Sequence, residues 1–453
     1  MLFFKPEGNV FVGDCMPFFH DGTFRLFYLR DEGHHSSLGG LGGHQWAQAS
    51  TEDLIHWTHH PLAIAITDER EGSICTGSVF YHKGVYHGFY ATRLRDYTQR
   101  LSMATSRDGV HFHKSTPNPF ASPPAGYSRF HYRDPVVFQD NRDGLFHMLV
   151  TAELERPAIS GRGGCLAHLV STDLEHWEPR DPFIIPGLPG QPECPDYFFW
   201  NGWYYLLFSN HGVARIRMSR EPLGPWLRPR VDALDSPASC VMKTAPFTGG
   251  RRVGVAWIGT RDQNKDEGQF QWGGNAVFRE IVQHPDGSLG ARFLEAVIPF
   301  GQVFSDLRIF PLTPDVTVEA GAIRVAARGG LAVAACPGLP GNARICVQVH
   351  PQADSACFGL CLRAADTFDS GCDLSFLPHD RIVRLRDQYI SAVDGIDQSF
   401  VLDVVLKDDI IDVCIDNRRT LINRCPERRG DTLLLYGQTA DVVFDHLEIR
   451  ALP

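Results

Sequence analysis

The sequence predicts an all-β chain: a five-bladed β-propeller over residues 1–305, then a C-terminal β-sandwich over residues 306–453. Three observations lead there. A glycine opening an aromatic-rich strand recurs at Gly22 (GTFRLFYL), Gly84 (GVYHGFYA), Gly144 (GLFHMLVT) and Gly202 (GWYYLLFS), with a weaker fifth copy at residues 251–259 (RRVGVAWIG); the spacings are 62, 60, 58 and about 50. A second motif runs in step with it: Ser50-Thr-Glu-Asp53 before Trp57, Ser106-Arg-Asp108 before Phe112, Ser171-Thr-Asp173 before Trp177, and a looser Ser219-Arg-Glu221 before Trp226. Finally, all eight Trp lie within the first 272 residues, and beyond about Phe310 the texture changes.

Each element follows from these patterns. Both faces of the repeated strands are apolar (Phe24, Leu26 and Tyr28 against Phe27 and Leu29), as in sheets stacked between neighbouring sheets. In the second motif Ser and Asp hold a turn through backbone amides, and the aromatic that follows plugs a packing face. One repeat has room for about four short strands, and five such units match a propeller. A long antiparallel sandwich with accidental similarity is the alternative. Residues 301–314 read as a connector, and runs such as ARICVQV, FVLDVVL, DTLLLYG and VVFDHLEI read as a separate sandwich.

Forty-three Lys+Arg against 53 Asp+Glu give a net charge of −10 with no basic block, which excludes nucleic acid and anionic membrane surfaces as partners. No run of about 18 apolar residues is present, so no membrane span is expected. The N-terminal MLFFKPEGNVFVGDC lacks the regions of a signal peptide, and the twelve Cys show no compact disulfide framework; free thiols in a reducing cytoplasm are the expectation. Cys357 and Cys361 have no second pair of similar spacing, so neither zinc nor another cofactor is expected.

The repeat also organises the acids. Asp14 lies eight residues before Gly22, Asp134 ten before Gly144 and Glu193 nine before Gly202; Thr76 and Lys243 hold the comparable places in the other two units. Equivalent positions of successive blades form a ring, so carboxyls far apart in sequence converge at one rim. Each alone reads as a turn carboxylate. Three together can hold one group protonated and another ionised, which suits glycoside cleavage by an acid and a nucleophile or base. Tyr132, Tyr197, Trp200, Trp203 and Trp272 lie near the ring in sequence and offer faces for sugar stacking, or core packing.

With these residues in view, the chain resembles glycoside hydrolase family 32, the β-fructofuranosidases, levanases and inulinases, over nearly its whole length. Tyr132-Arg133-Asp134-Pro135 resembles the family's arginine–aspartate–proline motif, and Pro192-Glu193-Cys194-Pro195-Asp196 its glutamate–cysteine motif. Thr76-Gly77-Ser78 is similar to its serine–glycine–serine stretch, Met242-Lys243-Thr244-Ala245 to its lysine-bearing strand, and Trp272-Gly273-Gly274-Asn275 to the segment closing the fifth blade. The resemblance implies Asp14 as nucleophile, Glu193 as general acid/base and Asp134 as transition-state stabiliser in a retaining mechanism, without a metal. It implies a small carbohydrate substrate held by Arg133, Thr76, Gly77, Ser78, Lys243 and Trp272.

One departure stands out. The family surrounds its nucleophile with asparagine before and proline–asparagine after, whereas this chain reads Gly13-Asp14-Cys15-Met16. His34-His35 and His44-Gln45-Trp46 fall where sugar-binding loops are expected, and either compensate or serve as loop residues. An arabinofuranosidase-like hydrolase, a fructosyltransferase and an inactive carbohydrate-binding propeller are the other readings. The C-terminal domain is expected to be structural or to form a homo-oligomer contact.

Overall fold

The computed structural model describes residues 2–34, 41–140, 142–305, 307–319, 321–365 and 370–453. It is all-β, a five-bladed propeller with a C-terminal β-sandwich. Contacts divide it into two compact units. One comprises Met1–Leu234, Ser239–Gly259 and Trp272–Leu289; the other comprises Asp235–Ala238, Thr260–Gln271 and Gly290–Pro453. The segment Thr260–Gln271 joins the second unit through Arg261, whose guanidinium donates to Asp387 and Asn423 and to the Arg424 carbonyl.

Among the described residues the first unit forms five blades whose first strands are Val10–His20, Glu71–His82, Tyr127–Gln139, Glu193–Trp200 and Cys240–Pro246. Each packs on the first strand of the next blade and the fifth packs on the first, so these strands line the axis. The glycines seen in the sequence close the hairpins behind them. Asp21-Gly22, Lys83-Gly84 and Asn201-Gly202 all have positive φ at both residues, the geometry of the two-residue turn that matches strand twist. The ring is sealed where Val12 of blade I pairs with Gly274 of blade V, and where Phe3 and Phe4 pair with Val277 and Ala276.

The second motif is a repeated side-chain staple. Asp53, Asp108 and Asp173 each accept two backbone N–H bonds at 2.8–2.9 Å and bind a histidine ring three residues on, at 2.7–2.8 Å. The hydroxyl partner in blade I is Thr51, not Ser50. The aromatics that follow pack backwards around the ring: Phe112 meets Phe27 of blade I, Trp177 meets Phe89 of blade II, and Trp57 meets Phe278 of blade V.

In the second unit the 20-residue strand Thr432–Ala451 pairs with Ala322–Cys336, Ala343–Pro351 and Cys357–Ala364. Its register shifts, and Thr439 and His446 have positive φ, so one strand serves both layers. The layers enclose Phe358, Phe376 and Phe400 with a shell of Val, Leu and Ile.

Candidate active site

A bulge recurs in the first strand of every blade. Three steps on the inner strand oppose two on its neighbour between Val12 and Cys15, Ile74 and Gly77, Arg133 and Val136, Glu193 and Asp196, and Cys240 and Lys243. Each bulge releases two residues from the ladder and re-aims their side chains. In blades III to V the first released residue, Asp134, Cys194 or Val241, sits at φ 56, 51 or 54, a conformation that costs a non-glycine residue energy.

The three acids occupy successive places in this repeated bulge rather than one. Glu193 is the last paired residue before it, Asp134 the first released and Asp14 the second. Thr76 matches Asp14, as the glycine spacing indicates, but the place in blade V belongs to Met242 and not to Lys243. Counting back from the hairpin glycine misses this because the stretch from bulge to glycine differs in length between blades: Cys15 to His20 pair after the bulge in blade I, but Asp196 to Trp200 in blade IV.

Asp14, Asp134 and Glu193 converge on a cavity of about 490 Å³. Thr76 donates its hydroxyl to Asp14 Oδ2 at 2.5 Å, and Trp257 Nε1 donates to Asp14 Oδ1 at 3.0 Å. Arg133 joins the other two acids, its NH2 2.6 Å from Glu193 Oε1 and its Nε 3.5 Å from Asp134 Oδ2. The Cys194 amide donates to Asp134 Oδ2 at 3.1 Å, and its thiol lies 3.6 Å from Asp14 Oδ2.

The electrostatics follow from this packing. Burial, reinforced by the charges of Asp134 and Glu193, raises Asp14 to about 6 against the opposing hydrogen bonds from Thr76 and Trp257. Burial also raises Asp134, with Arg133 pulling the other way. Burial would lower Arg133, but the charges of Asp134 and Glu193 outweigh it and hold the guanidinium above its ordinary value. The site therefore offers a carboxyl poised near neutrality beside an ion-paired one, a set suited to proton transfer and nucleophilic attack.

Residues 4–289 match the Glycosyl hydrolases family 32 N-terminal domain. The chain belongs to this family. It is 27% identical to sucrose-6-phosphate hydrolase from Escherichia coli over 317 residues, 63% of this chain and 60% of that protein. It is 28% identical to a levanbiose-producing levanase from Bacillus subtilis over 228 residues, 48% of this chain and 39% of that one. The chain thus spans 60% or less of the length of these relatives. Fructan 1-exohydrolase IIa from Cichorium intybus shares the fold with a TM-score of 0.75 and 16% identity, over 99% of this chain and 96% of that one. Exo-inulinase from Aspergillus awamori does so at 0.74 and 14%, over 100% and 98%.

Within this family 32 site, the altered residues around Asp14 have a structural reason. A Cβ on Gly13 would lie 1.9 Å from the Trp272 ring, so glycine in the family's asparagine place lets the indole lie against the strand. Trp272 stacks on His44 at 4.2 Å and meets Trp257 at 5.3 Å. His44 is held by Ser73, whose hydroxyl accepts the His44 amide at 3.1 Å, and by Asp31 at 3.6 Å. Met16 takes the second asparagine place and is buried, its sulfur accepting the Gly77 amide at 3.2 Å.

Of the residues expected to bind substrate, Thr76, Arg133 and Trp272 line the cavity. Gln45 does not: its side-chain oxygen accepts the Ile66 amide. Trp46 is fully buried in the core, its indole N–H donating to the Cys75 carbonyl. Lys243 is buried and donates to the Gly77 and Pro195 carbonyls at 3.1 and 2.8 Å, tying three blades together. Gly77 and Ser78 are also absent from the lining; a Cβ at Gly77 would strike the Phe89 carbonyl, so glycine there serves strand approach. His35 lies outside the described residues.

Of the aromatics near the ring, Tyr132 is buried, Tyr197 stacks on Phe138, and Trp200 and Trp203 pack against a blade core. His44, which the sequence places in a sugar-binding loop, lines the cavity; sequence reasoning missed Trp257 and Arg93, which line it too. Trp257 carried a signal: it sits in the fifth strand copy, opposite Cys240 at the bulge.

Proposed function

We propose that the protein is a retaining glycoside hydrolase that cleaves β-fructofuranosides through a covalent glycosyl–enzyme intermediate. The observation that carries this reading is the convergence of Asp14, Glu193 and Asp134 with Arg133 on one cavity. The names of the relatives, sucrose-6-phosphate hydrolase, raffinose invertase and levanase, support the fructoside class.

In the first step ionised Asp14 attacks the anomeric carbon while Glu193 protonates the departing glycosidic oxygen. Thr76 and Trp257 fix the Asp14 carboxylate for attack. In the second step Glu193, now a base, takes a proton from water, which displaces Asp14 from the sugar. Asp134, oriented by the Cys194 amide and Arg133, accepts ring hydroxyl bonds that strengthen as oxocarbenium character develops. Trp272 supplies a flat apolar wall for the sugar. A reducing, intracellular setting belongs to the same reading, supported by twelve cysteines standing as free thiols.

The test is sugar release from sucrose, kestose and levan by wild type, D14A and E193A, with the anomer of the first product followed by NMR. Retention in wild type and loss of turnover in both variants are expected. Initial inversion would overturn the covalent mechanism, and undiminished turnover in D14A would remove the nucleophile assignment.

A further inference from the structure

Two guanidinium groups line the cavity, and they face different things. Arg133 is engaged by Glu193 at 2.6 Å and Asp134 at 3.5 Å. Arg93 donates to the Leu41 carbonyl at 3.3 Å, and among the described residues no carboxylate pairs with it. A half-buried guanidinium in a cavity without a counter-ion is suited to an anion that arrives with the ligand, because its rigid fork of donors matches phosphate and carboxylate oxygens.

Its place along the strand says which part of a ligand it meets. Arg93 lies in Val85–Leu94, opposite Ser73, while Thr92 lies opposite Ile74, the residue at the edge of the blade II bulge. Arg93 is therefore one ladder step, about 3.3 Å, beyond the level of the bulges that carry the acids. It is also one residue from the end of its strand, where the chain turns toward Gln99–Ser106. In blade IV another lining residue, Gly212, sits in the corresponding turn between Trp203–Asn210 and Val213–Ser219. Both mark the cavity's rim. A leaving group departs through that rim, so Arg93 faces the half of the substrate that is released.

We propose that Arg93 is a specificity-determining residue that binds an anionic group, a phosphate monoester or a carboxylate, on the leaving-group sugar. The proposal rests on the fructosidase reading for what is cleaved, but the anion subsite can be measured without turnover. Titration calorimetry would compare glucose, glucose 6-phosphate and glucuronate on wild type, R93Q and R93K, with thermal melts to verify folding.

At least one anionic sugar should bind wild type about tenfold or more tightly than glucose. R93Q should erase that preference, and R93K should keep part of it, retaining the charge without the fork. Preference for the phosphate alone or the carboxylate alone identifies the group recognised. The proposal is overturned if neither anionic sugar outbinds glucose on wild type, or if folded R93Q or R93K keeps the full preference. Failure of the fructosidase reading shows differently: no fructoside is hydrolysed while the preference for anionic sugars persists.

Discussion

Thr76 and Asp14, 62 residues apart on neighbouring blades, share a hydroxyl-to-carboxylate hydrogen bond of 2.5 Å. Thr76 occupies in blade II the bulge position that Asp14 occupies in blade I. The bond favours the ionised carboxylate and opposes the burial that raises Asp14 to about 6. In the proposed mechanism Asp14 attacks only when ionised, so activity should fall as pH drops below about 6. T76V removes the donor and should move this acid limb upward by about half to one unit, read from kcat/KM against pH. An unmoved limb would mean that the carboxylate is not held by Thr76.

The same shift has a sign in stability. The folded state binds the Asp14 proton more tightly than the unfolded chain, whose carboxyl titrates near 3.8. The contribution is therefore most favourable below the unfolded value and is lost as pH rises through about 6. Between pH 4 and pH 8 wild type should lose on the order of 1–3 kcal/mol relative to D14N. Urea melts of both proteins across that range check it; a constant difference contradicts the raised value.

Glu193, 2.6 Å from Arg133, is the general acid of the proposed mechanism, and a general acid matters most to a leaving group that needs a proton. E193A should lower turnover of sucrose by about 10²–10⁴ and lose far less on an aryl β-fructofuranoside with an activated leaving group. Equal losses on both substrates would refute the general-acid role.

The fold was legible because its determinants are local. Gly22, Gly84, Gly144 and Gly202 all adopt positive φ of 73–82°, a demand that leaves glycine in the sequence at each hairpin. The Asp53, Asp108 and Asp173 staples likewise act within four residues of themselves. Asp14, Asp134, Glu193 and Arg133 were legible through the repeat and the motifs around them. The bulge was not, since one extra residue in a strand leaves no compositional mark. That is why Lys243 reads as a rim residue although it is buried between blades. Trp46 reads as part of a loop, but it lies in the strand Gln45–Thr51 and is core. Arg93 depends on a contact with Leu41 that periodicity does not register.

Gly13 and Trp272 form a pair that the family's usual asparagine could not. The Cβ of G13A would overlap the indole at 1.9 Å, with two further ring carbons at 2.5 and 2.6 Å. The ring must move, disturbing its stacking on His44 and its edge beside Trp257. G13A should cost about 1–3 kcal/mol in stability and raise KM more than it lowers kcat, because the wall shifts while Asp14 remains. W272A in the same background should recover most of the stability without recovering KM. A G13A protein as stable as wild type would show that the indole does not occupy this place.

Lys243 provides the sharpest contrast between a binding and a structural role. Its ammonium is buried, 3% exposed, and donates to the Gly77 carbonyl in blade II and the Pro195 carbonyl in blade IV. Replacing it with methionine keeps the apolar stem but leaves two carbonyls without their donor, a loss of about 2–4 kcal/mol for buried acceptors beside a removed charge. Both carbonyls belong to the bulge regions: Gly77 closes the blade II bulge just after Thr76, and Pro195 lies within the blade IV bulge, two residues after Glu193. K243M should therefore lower the melting temperature and, where folded, reduce kcat through misplacement of Thr76 and Glu193. A ligand-contacting lysine would instead leave stability unchanged and raise KM. Melting curves and steady-state kinetics on the same preparation separate the two: unaltered melting with a raised KM would return Lys243 to the substrate.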